Sequence, residues 1–300
     1  MRVSAHLVAA VGFAAACLTA SWTGVTAQTP APAGKGDATA VLAAARQALG
    51  GEKKLSAVKT LTATGRTRQV RGDNLVPIEF ELFIELPDKY VRKDEIPAQD
   101  TDPSTRGFNG DTLIQVPPPG AGRGGPRAGG PGPGGPAPGG PPPGGGARAG
   151  GPPPAGGRGP AGPPVAPIMA VKQDFARLML GMFAASFPSF PLTFKYGAVG
   201  EAPEGKADVL DVNGPANVVM RFVVQRDTHL PVMLMWNAPA PGQPTPAEQR
   251  MYFADYRDVD GLKLPFRIRR AVGADTIEET TFDRFRINAK IDPRKFEMPK

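Results

Sequence analysis

The chain has 300 residues, of which 74 are glycine or proline, and its formal net charge is +7. Residues 117–167 hold 38 of these glycines and prolines together with four arginines, and a fifth arginine follows the first methionine, so the rest of the chain carries only +2. This balance argues against a nucleic-acid partner. Without the leader and the tract, roughly 210 residues remain, enough for one β-rich domain.

Residues 1–27 have the features of an export signal. Arg2 gives a short basic start, residues 7–18 form an apolar run, and small side chains precede a cleavage point after residue 27. The run is too short to cross the hydrocarbon core of a bilayer, so a permanent span is not expected. Cys17, the only cysteine, lies in a segment that resembles a bacterial lipobox. We therefore predict a periplasmic protein, either released by cleavage or anchored to the outer membrane through Cys17, with residues 28–36 as a flexible lead-in.

The first part of the predicted domain combines one helix with a series of strands. Asp37 is a suitable cap for a helix that ends at Gly50 and Gly51. After this helix the apolar period becomes that of strands, most clearly in residues 78–86, where apolar residues alternate with glutamates. Strands are predicted at residues 61–70, 78–86, 90–96 and 112–116.

Residues 117–166 interrupt this pattern with a tract rich in glycine and proline. The tract lacks the three-residue glycine period of collagen. Its composition cannot bury enough apolar surface to offset the entropy lost on ordering. We therefore predict a long disordered insert within a single domain made of residues 37–116 and 167–300. Such an insert is tolerated because loop-closure entropy grows only slowly with length.

The second part of the domain begins with a helix and continues as strands. Residues 168–187 carry apolar side chains at helical spacing, and Pro188 follows them. Short polar connections such as residues 258–261 make antiparallel neighbours of the later strands. The lack of an alternating strand–helix rhythm indicates an α+β fold with a curved antiparallel β-sheet. Strands are predicted at residues 192–196, 208–212, 217–225, 230–237, 250–256, 264–272 and 276–287.

The sequence shows no recognisable catalytic or cofactor-binding constellation. Outside the leader there is one histidine, His229, in the context of a turn, so neither a zinc site nor a serine–histidine system is expected. No phosphate-binding loop or dinucleotide fingerprint occurs. Grouped carboxylates such as Glu79 and Glu81 alternate with apolar residues, as on a solvated sheet face. We expect no cofactor and no metal, and a hydrolase built on a carboxylate pair is the least favoured alternative.

The methionines and several strands have an unusual apolar pattern. Seven of the nine methionines fall within residues 169–251, and thioether side chains adapt to ligands of imprecise shape such as acyl chains. Residues 218–224 and 232–236 are apolar on both faces. One face of these strands can therefore pack while the other lines a hollow under the helices. The same pattern is also typical of ordinary core filling, and the sequence alone leaves both interpretations open.

Several short motifs follow one another in an order that resembles a known superfamily. They are residues 86–92 (LPDKYVR), 109–113 (NGDTL), 252–265 (YFADYRDVDGLKLP) and 296–299 (FEMP). In this order they resemble the LolA/LolB-like superfamily of periplasmic lipoprotein-sorting proteins, over residues 37–300 apart from the insert. The resemblance implies a half-open antiparallel β-barrel with helices as a lid, whose interior holds the acyl chains of a lipoprotein.

These observations lead to one functional prediction and its alternative. We predict a monomeric, non-enzymatic periplasmic binder of lipid or lipoprotein acyl chains, with lipoprotein sorting as the role that the resemblance implies. The alternative is a cell-envelope scaffold that contacts other envelope proteins through residues 117–166. Arg66, Arg68 and Arg92 are the candidates for contact with anionic head groups. The candidate lining residues of the apolar cavity are Phe80, Leu82, Ile84, Phe175, Met179, Met182, Phe183, Met220, Met233, Met235 and Trp236.

Overall fold

The structure, a computed structural model, describes residues 36–97, 99, 102–118, 166–239 and 245–298. The predicted export signal with Cys17 lies outside the described residues, as do the lead-in before residue 36 and nearly all of the predicted insert. The predicted domain boundaries therefore stay predictions. In the described part of the chain, no helix combines the length and the apolarity needed to cross a membrane.

The described residues form twelve strands and three α-helices. The helices are α1 (Ala38–Ala48), α2 (Glu52–Ser56) and α3 (Pro167–Phe183). The strands are β1 (Thr60–Arg71), β2 (Asn74–Glu85), β3 (Lys89–Glu95), β4 (Ser104–Asn109), β5 (Thr112–Val116), β6 (Thr193–Ala202), β7 (Gly205–Gly214), β8 (Val218–Gln225), β9 (Pro231–Ala238), β10 (Ala247–Val259), β11 (Leu262–Val272) and β12 (Asp275–Ile287). A short 3-10 helix, Pro293–Phe296, follows β12.

All of these strands belong to one antiparallel sheet. Its order runs from β5 back to β1, continues with β12 and then runs back to β6. The pairing of β1 with β12, from Leu61 opposite Ile287 to Gln69 opposite Glu278, joins the two halves of the described chain. Because β5 and β6 are the two edges, the sheet does not close on itself. The predicted α+β fold, a curved antiparallel sheet that forms a half-open barrel, is confirmed.

The alternation of apolar and polar residues determines which face of each strand points inward. On β1, Leu61 and Ala63 are buried, whereas Arg66, which has the opposite phase, is exposed. The strand β2 alternates in the same way, with the apolar residues of one phase buried between residues 78 and 84 and its glutamates on the other face. A Cβ atom at Gly65 would collide with the carbonyl oxygen of Thr281, so the close approach of β1 and β12 requires glycine at this position.

The ends of the longer helices follow from their local chemistry. The carboxylate of Asp37 accepts a hydrogen bond from the backbone N–H of Thr39 at 2.8 Å, and Gly50 has a φ of +132° just after the helix. The predicted first helix is therefore confirmed as α1. Helix α3 ends at Phe183, earlier than predicted, because Ala184 adopts a left-handed φ of +47°.

Two elements are absent from the sequence-based assignment. Helix α2 has only five residues, too few to show a helical period. Strand β4 has the sequence STRGFN, in which Gly107 and Thr105 are buried on one face and Phe108 on the other. Without a run of large apolar residues on one phase, this strand carries no alternation signal.

Helix α3 lies against the inward face of the sheet, in contact with β4, β9 and β11. Its residues Phe175, Met179 and Leu180 are fully buried and form one core with the inward residues of the strands. Two smaller apolar clusters lie on the outer face, one around Val91 and one around Met233. The interior of the half-barrel is therefore occupied mainly by α3.

Candidate functional site

The predicted lining residues belong to two different apolar clusters. Met233 and Met235 pack on the outer face of the sheet with Val223, whereas Trp236 faces the interior. Side chains alternate along β9, so these three residues cannot line one hollow. The prediction that Met233 and Met235 line the cavity is therefore wrong, because both lie on the outer face. The predicted residues that do share the main core are Phe80, Leu82, Ile84, Phe175, Met179, Met182, Phe183, Met220 and Trp236.

Most of this interior is filled by the protein's own side chains. The ring of Phe175 packs edge-on against Tyr90 and Phe108, with centroids 5.7 and 5.4 Å away, and a third aromatic contact goes to Phe187 at 5.9 Å. Met179 and Met182 are fully buried beside it. For these residues the structure favours core filling, the second of the two interpretations that the sequence left open.

A cavity of about 240 Å³ remains at one end of the interior. It lies between α3 and the strands β1, β2, β3, β4, β10, β11 and β12. Phe80 and Leu82 are the two residues of the predicted set that line it. The other apolar lining residues are Ile78, Tyr90, Val171, Leu178, Met251, Ile268 and Phe282.

The inward faces of the strands change from apolar to polar at this end. On β1, Leu61 and Ala63 are followed on the same face by Thr67, Gln69 and Arg71, which line the cavity. The same change occurs on β3, β11 and β12, whereas β2 stays apolar, so the cavity has an apolar floor and a charged mouth. We call the four arginines that line it the arginine rim: Arg71, Arg92, Arg106 and Arg270.

The side of the mouth formed by the sheet is a connected polar network. The hydroxyls of Thr67 and Thr280, both buried, lie 2.8 Å apart, and Nη2 of Arg92 donates to Oγ1 of Thr67 at 2.9 Å. Nε of Arg92 donates to Asp94 at 2.6 Å, and its guanidinium lies 4.4 Å from the ring centre of Phe80. Burial alone would lower the pKa of Arg92, but Asp94, together with Tyr90 and Glu278, outweighs it and the pKa lies above its ordinary value. This arginine is therefore fixed as a cation directly above the apolar floor.

Helix α3 contributes a second charged group to the mouth. Nη1 of Arg177 donates to Oδ1 of Asp174 at 2.9 Å, and Arg106 approaches the other oxygen of the same carboxylate at 3.4 Å. The guanidinium of Arg177 lies 4.3 Å from the ring centre of Trp236. Burial and, after it, the positive charge of Arg270 lower the pKa of Arg177, while Asp174 acts in the opposite direction. Positive charges on α3 and β4 thus share one carboxylate, and the charge of Arg270 on β11 acts on Arg177.

Two of the three predicted head-group residues lie on the wrong face. Arg66 and Arg68 are exposed on the phase of β1 opposite to Thr67, and Arg66 pairs with Asp283 at 3.6 Å outside the barrel. Only Arg92 reaches the cavity. The missed residue on this strand is Arg71, which has the same phase as the buried residues. The alternation along β1 therefore contains the signal that would have identified Arg71 as an inward residue.

The remaining candidates for chemistry lie away from the cavity. His229 sits in the turn before β9 with a φ of +55°. Glu79 and Glu81 lie on the outer face of β2, beside Arg66 and Lys93. Within the described ranges, no group of three or more histidine, cysteine or acidic residues is arranged to hold a metal ion.

Comparison with known proteins gives similar solved structures but no sequence relative. No protein-family model matches the chain, and no curated protein matches it. A LolA superfamily protein from Nitrosomonas europaea is 9% identical, with a TM-score of 0.47 over 87% of this chain and 97% of that chain. A putative outer membrane lipoprotein-sorting protein domain from Vibrio parahaemolyticus is 8% identical, with a TM-score of 0.46 over 87% and 97%. A DUF1329 family protein from Desulfovibrio piger is 7% identical, with a TM-score of 0.44 over 86% and 96%.

Proposed function

We propose that the protein is a non-enzymatic binder of amphiphiles that carry an acyl chain, and that the chain enters the cavity beneath α3. The observation that carries this proposal is the change of polarity inside the half-barrel, from an apolar floor around Phe80 and Leu82 to a charged mouth. An amphiphile has the same change of polarity along its length. The lipid or lipoprotein acyl chain predicted from the sequence belongs to this ligand class.

The driving force is burial of methylene groups, worth about 0.8 kcal/mol each. The cavity of about 240 Å³ is smaller than the roughly 300–1,000 Å³ of typical small-molecule pockets. We therefore propose that the end of an acyl chain occupies the existing cavity and that a longer chain moves the side chains of α3. Leu178 of α3, which is half-buried and lines the cavity, is one of the side chains that a longer acyl chain would displace.

The proposed location is the periplasm. The predicted export signal of residues 1–27 supports it, and so does the proposed ligand class, because acyl-chain amphiphiles are components of the cell envelope. Measuring the mass of the mature N-terminus distinguishes cleavage after residue 27 from lipidation at Cys17.

Calorimetric titration with monooleoylglycerol tests the proposal, since this lipid has an uncharged head group and reports on the acyl chain alone. We expect saturable binding to the full chain below the lipid's aggregation concentration. The variant Leu178→Phe narrows the cavity from its partly exposed side and should weaken binding without loss of stability.

The matched control is Val219→Phe, which makes an aromatic substitution at a position that is 64% exposed and outside the cavity. It should leave binding unchanged. Absence of binding to the unmodified chain would overturn the proposed function. Equal weakening by both variants would show that the lipid binds elsewhere.

A further inference from the structure

The mouth of the cavity carries more positive than negative charge. Four arginines of the rim face three carboxylates that also line the cavity, those of Asp94, Asp174 and Glu278. Arg177 adds one more cation through its contact with Asp174. The arginines therefore outnumber the carboxylates by two, in a place where burial reduces screening by salt.

One of these arginines is incompletely satisfied by the protein. Arg177 is 8% exposed, and among the described residues its buried Nε atom has no hydrogen-bond partner. A buried donor without a partner is destabilising, and a second guanidinium nearby, that of Arg270, adds repulsion. A negative charge beside Arg270 would relieve this repulsion.

Arg106 and Arg270 are the two rim residues best placed to meet such a charge. Arg106 is half-exposed at the mouth and shares the carboxylate of Asp174 with Arg177 at the longer distance of 3.4 Å. Arg270 lines the cavity opposite Glu278 in the β11–β12 pairing, and in the described part of the chain it forms no ion pair within 4.0 Å. Both guanidinium groups are therefore available to a ligand.

We propose that Arg106 and Arg270 bind a phosphate or carboxylate group on the head of the amphiphile, with the buried Arg177 adding its charge across Asp174. A guanidinium presents donors in a planar fork that matches these anions. The inference rests on the proposed function, because a chain in the cavity brings its head group to the mouth. It goes further by naming the class of ligand as an anionic amphiphile.

The test compares ligands that share one acyl chain. Oleoyl lysophosphatidic acid and monooleoylglycerol differ in the phosphate, and inorganic phosphate supplies the anion without the chain. We expect the phosphate lipid to bind about tenfold more tightly than the neutral one, as one charged hydrogen bond predicts. We also expect Arg270→Gln to abolish this preference, because it weakens binding of the phosphate lipid about tenfold more than binding of monooleoylglycerol.

The neighbouring variant Arg269→Gln is the matched control. It removes the same charge from the same strand, but Arg269 points outward and stacks on Tyr252 at 4.3 Å. It should keep the tenfold preference. Arg106→Gln is a second variant of the proposed site. Because the side chain of Arg106 is 50% exposed, its replacement should not unfold the protein, so loss of the preference for the phosphate lipid would report on binding.

The outcomes separate the two proposals. Equal affinity of the two lipids would overturn the head-group inference and leave the acyl-chain proposal standing. Failure of both lipids together with binding of inorganic phosphate that depends on Arg270 would show a site for free phosphate and overturn the proposed function. Failure of all three ligands would overturn both.

Discussion

Truncation of Phe175 in α3 tests whether this helix fills the half-barrel or merely covers it. Phe175 is fully buried and contacts three aromatic rings within 6 Å. Replacing a buried phenylalanine by alanine costs about 3–5 kcal/mol, and the aromatic contacts place this site in the upper half of that range. We therefore expect Phe175→Ala to lower the free energy of unfolding by about 4 kcal/mol. A helix lying over an open hollow would lose far less.

Urea unfolding followed by circular dichroism measures this loss, provided that the slope of the transition is the same for both chains. Leu178→Ala is the control, because it truncates an apolar side chain of the same helix that is only half-buried. Its expected cost is about 1 kcal/mol, in proportion to the smaller burial. A loss for Phe175→Ala no greater than that of the control would refute the packing of α3 in the interior.

Three further predictions concern the core and the mouth. Burial raises the pKa of Tyr90 from 10.0 to about 12, so its contribution to stability is present below pH 10 and is lost as the pH rises towards 12. Tyr90→Phe should remove this loss, about 3 kcal/mol for two pKa units, in urea unfolding across that pH range. Met220→Ala should lower the free energy of unfolding by about 2–5 kcal/mol, because Met220 is fully packed in the interior. Met235→Ala should lower it clearly less, because Met235 packs on the outer face. Similar losses for the two variants in thermal or urea unfolding would contradict this assignment of faces. Arg177→Met should leave the free energy of unfolding nearly unchanged, because the carboxylate of Asp174 keeps Arg106 as a partner at 3.4 Å; a drop of about 3 kcal/mol, as for an unpaired buried carboxylate, would contradict this.

The strand pattern of the sequence predicts most of the fold. Regular alternation on β2, with glutamates between apolar residues, identifies both the strand and its inward face. The open sheet also required the pairing of β1 with β12, which no local pattern specifies because Leu61 and Ile287 are far apart in the chain. That part of the architecture came from the order of motifs and the resemblance they carry.

The candidate site was only partly predictable. The sequence predicts Phe80 and Arg92, which line the cavity, but both faces of β9 are apolar, so its pattern does not separate Trp236 from Met235. A strand with two apolar faces loses the signal that fixes its orientation. For β1 the signal was present, and Arg71 follows from the phase of its buried residues.

The distribution of charge in the interior argues for a ligand more strongly than the apolar floor does. An apolar interior is explained by stability alone, because it buries side chains as any core does. Stability alone does not explain the inward arginines. A buried guanidinium is costly even when it is paired, and a residue such as methionine would pack in its place. Among the described residues, the Nε atom of Arg177 has no hydrogen-bond partner, and Arg270 lines the cavity at the same end of the half-barrel. A chain selected only for a stable scaffold has no reason to retain both, whereas a chain that binds the charged head of an amphiphile does.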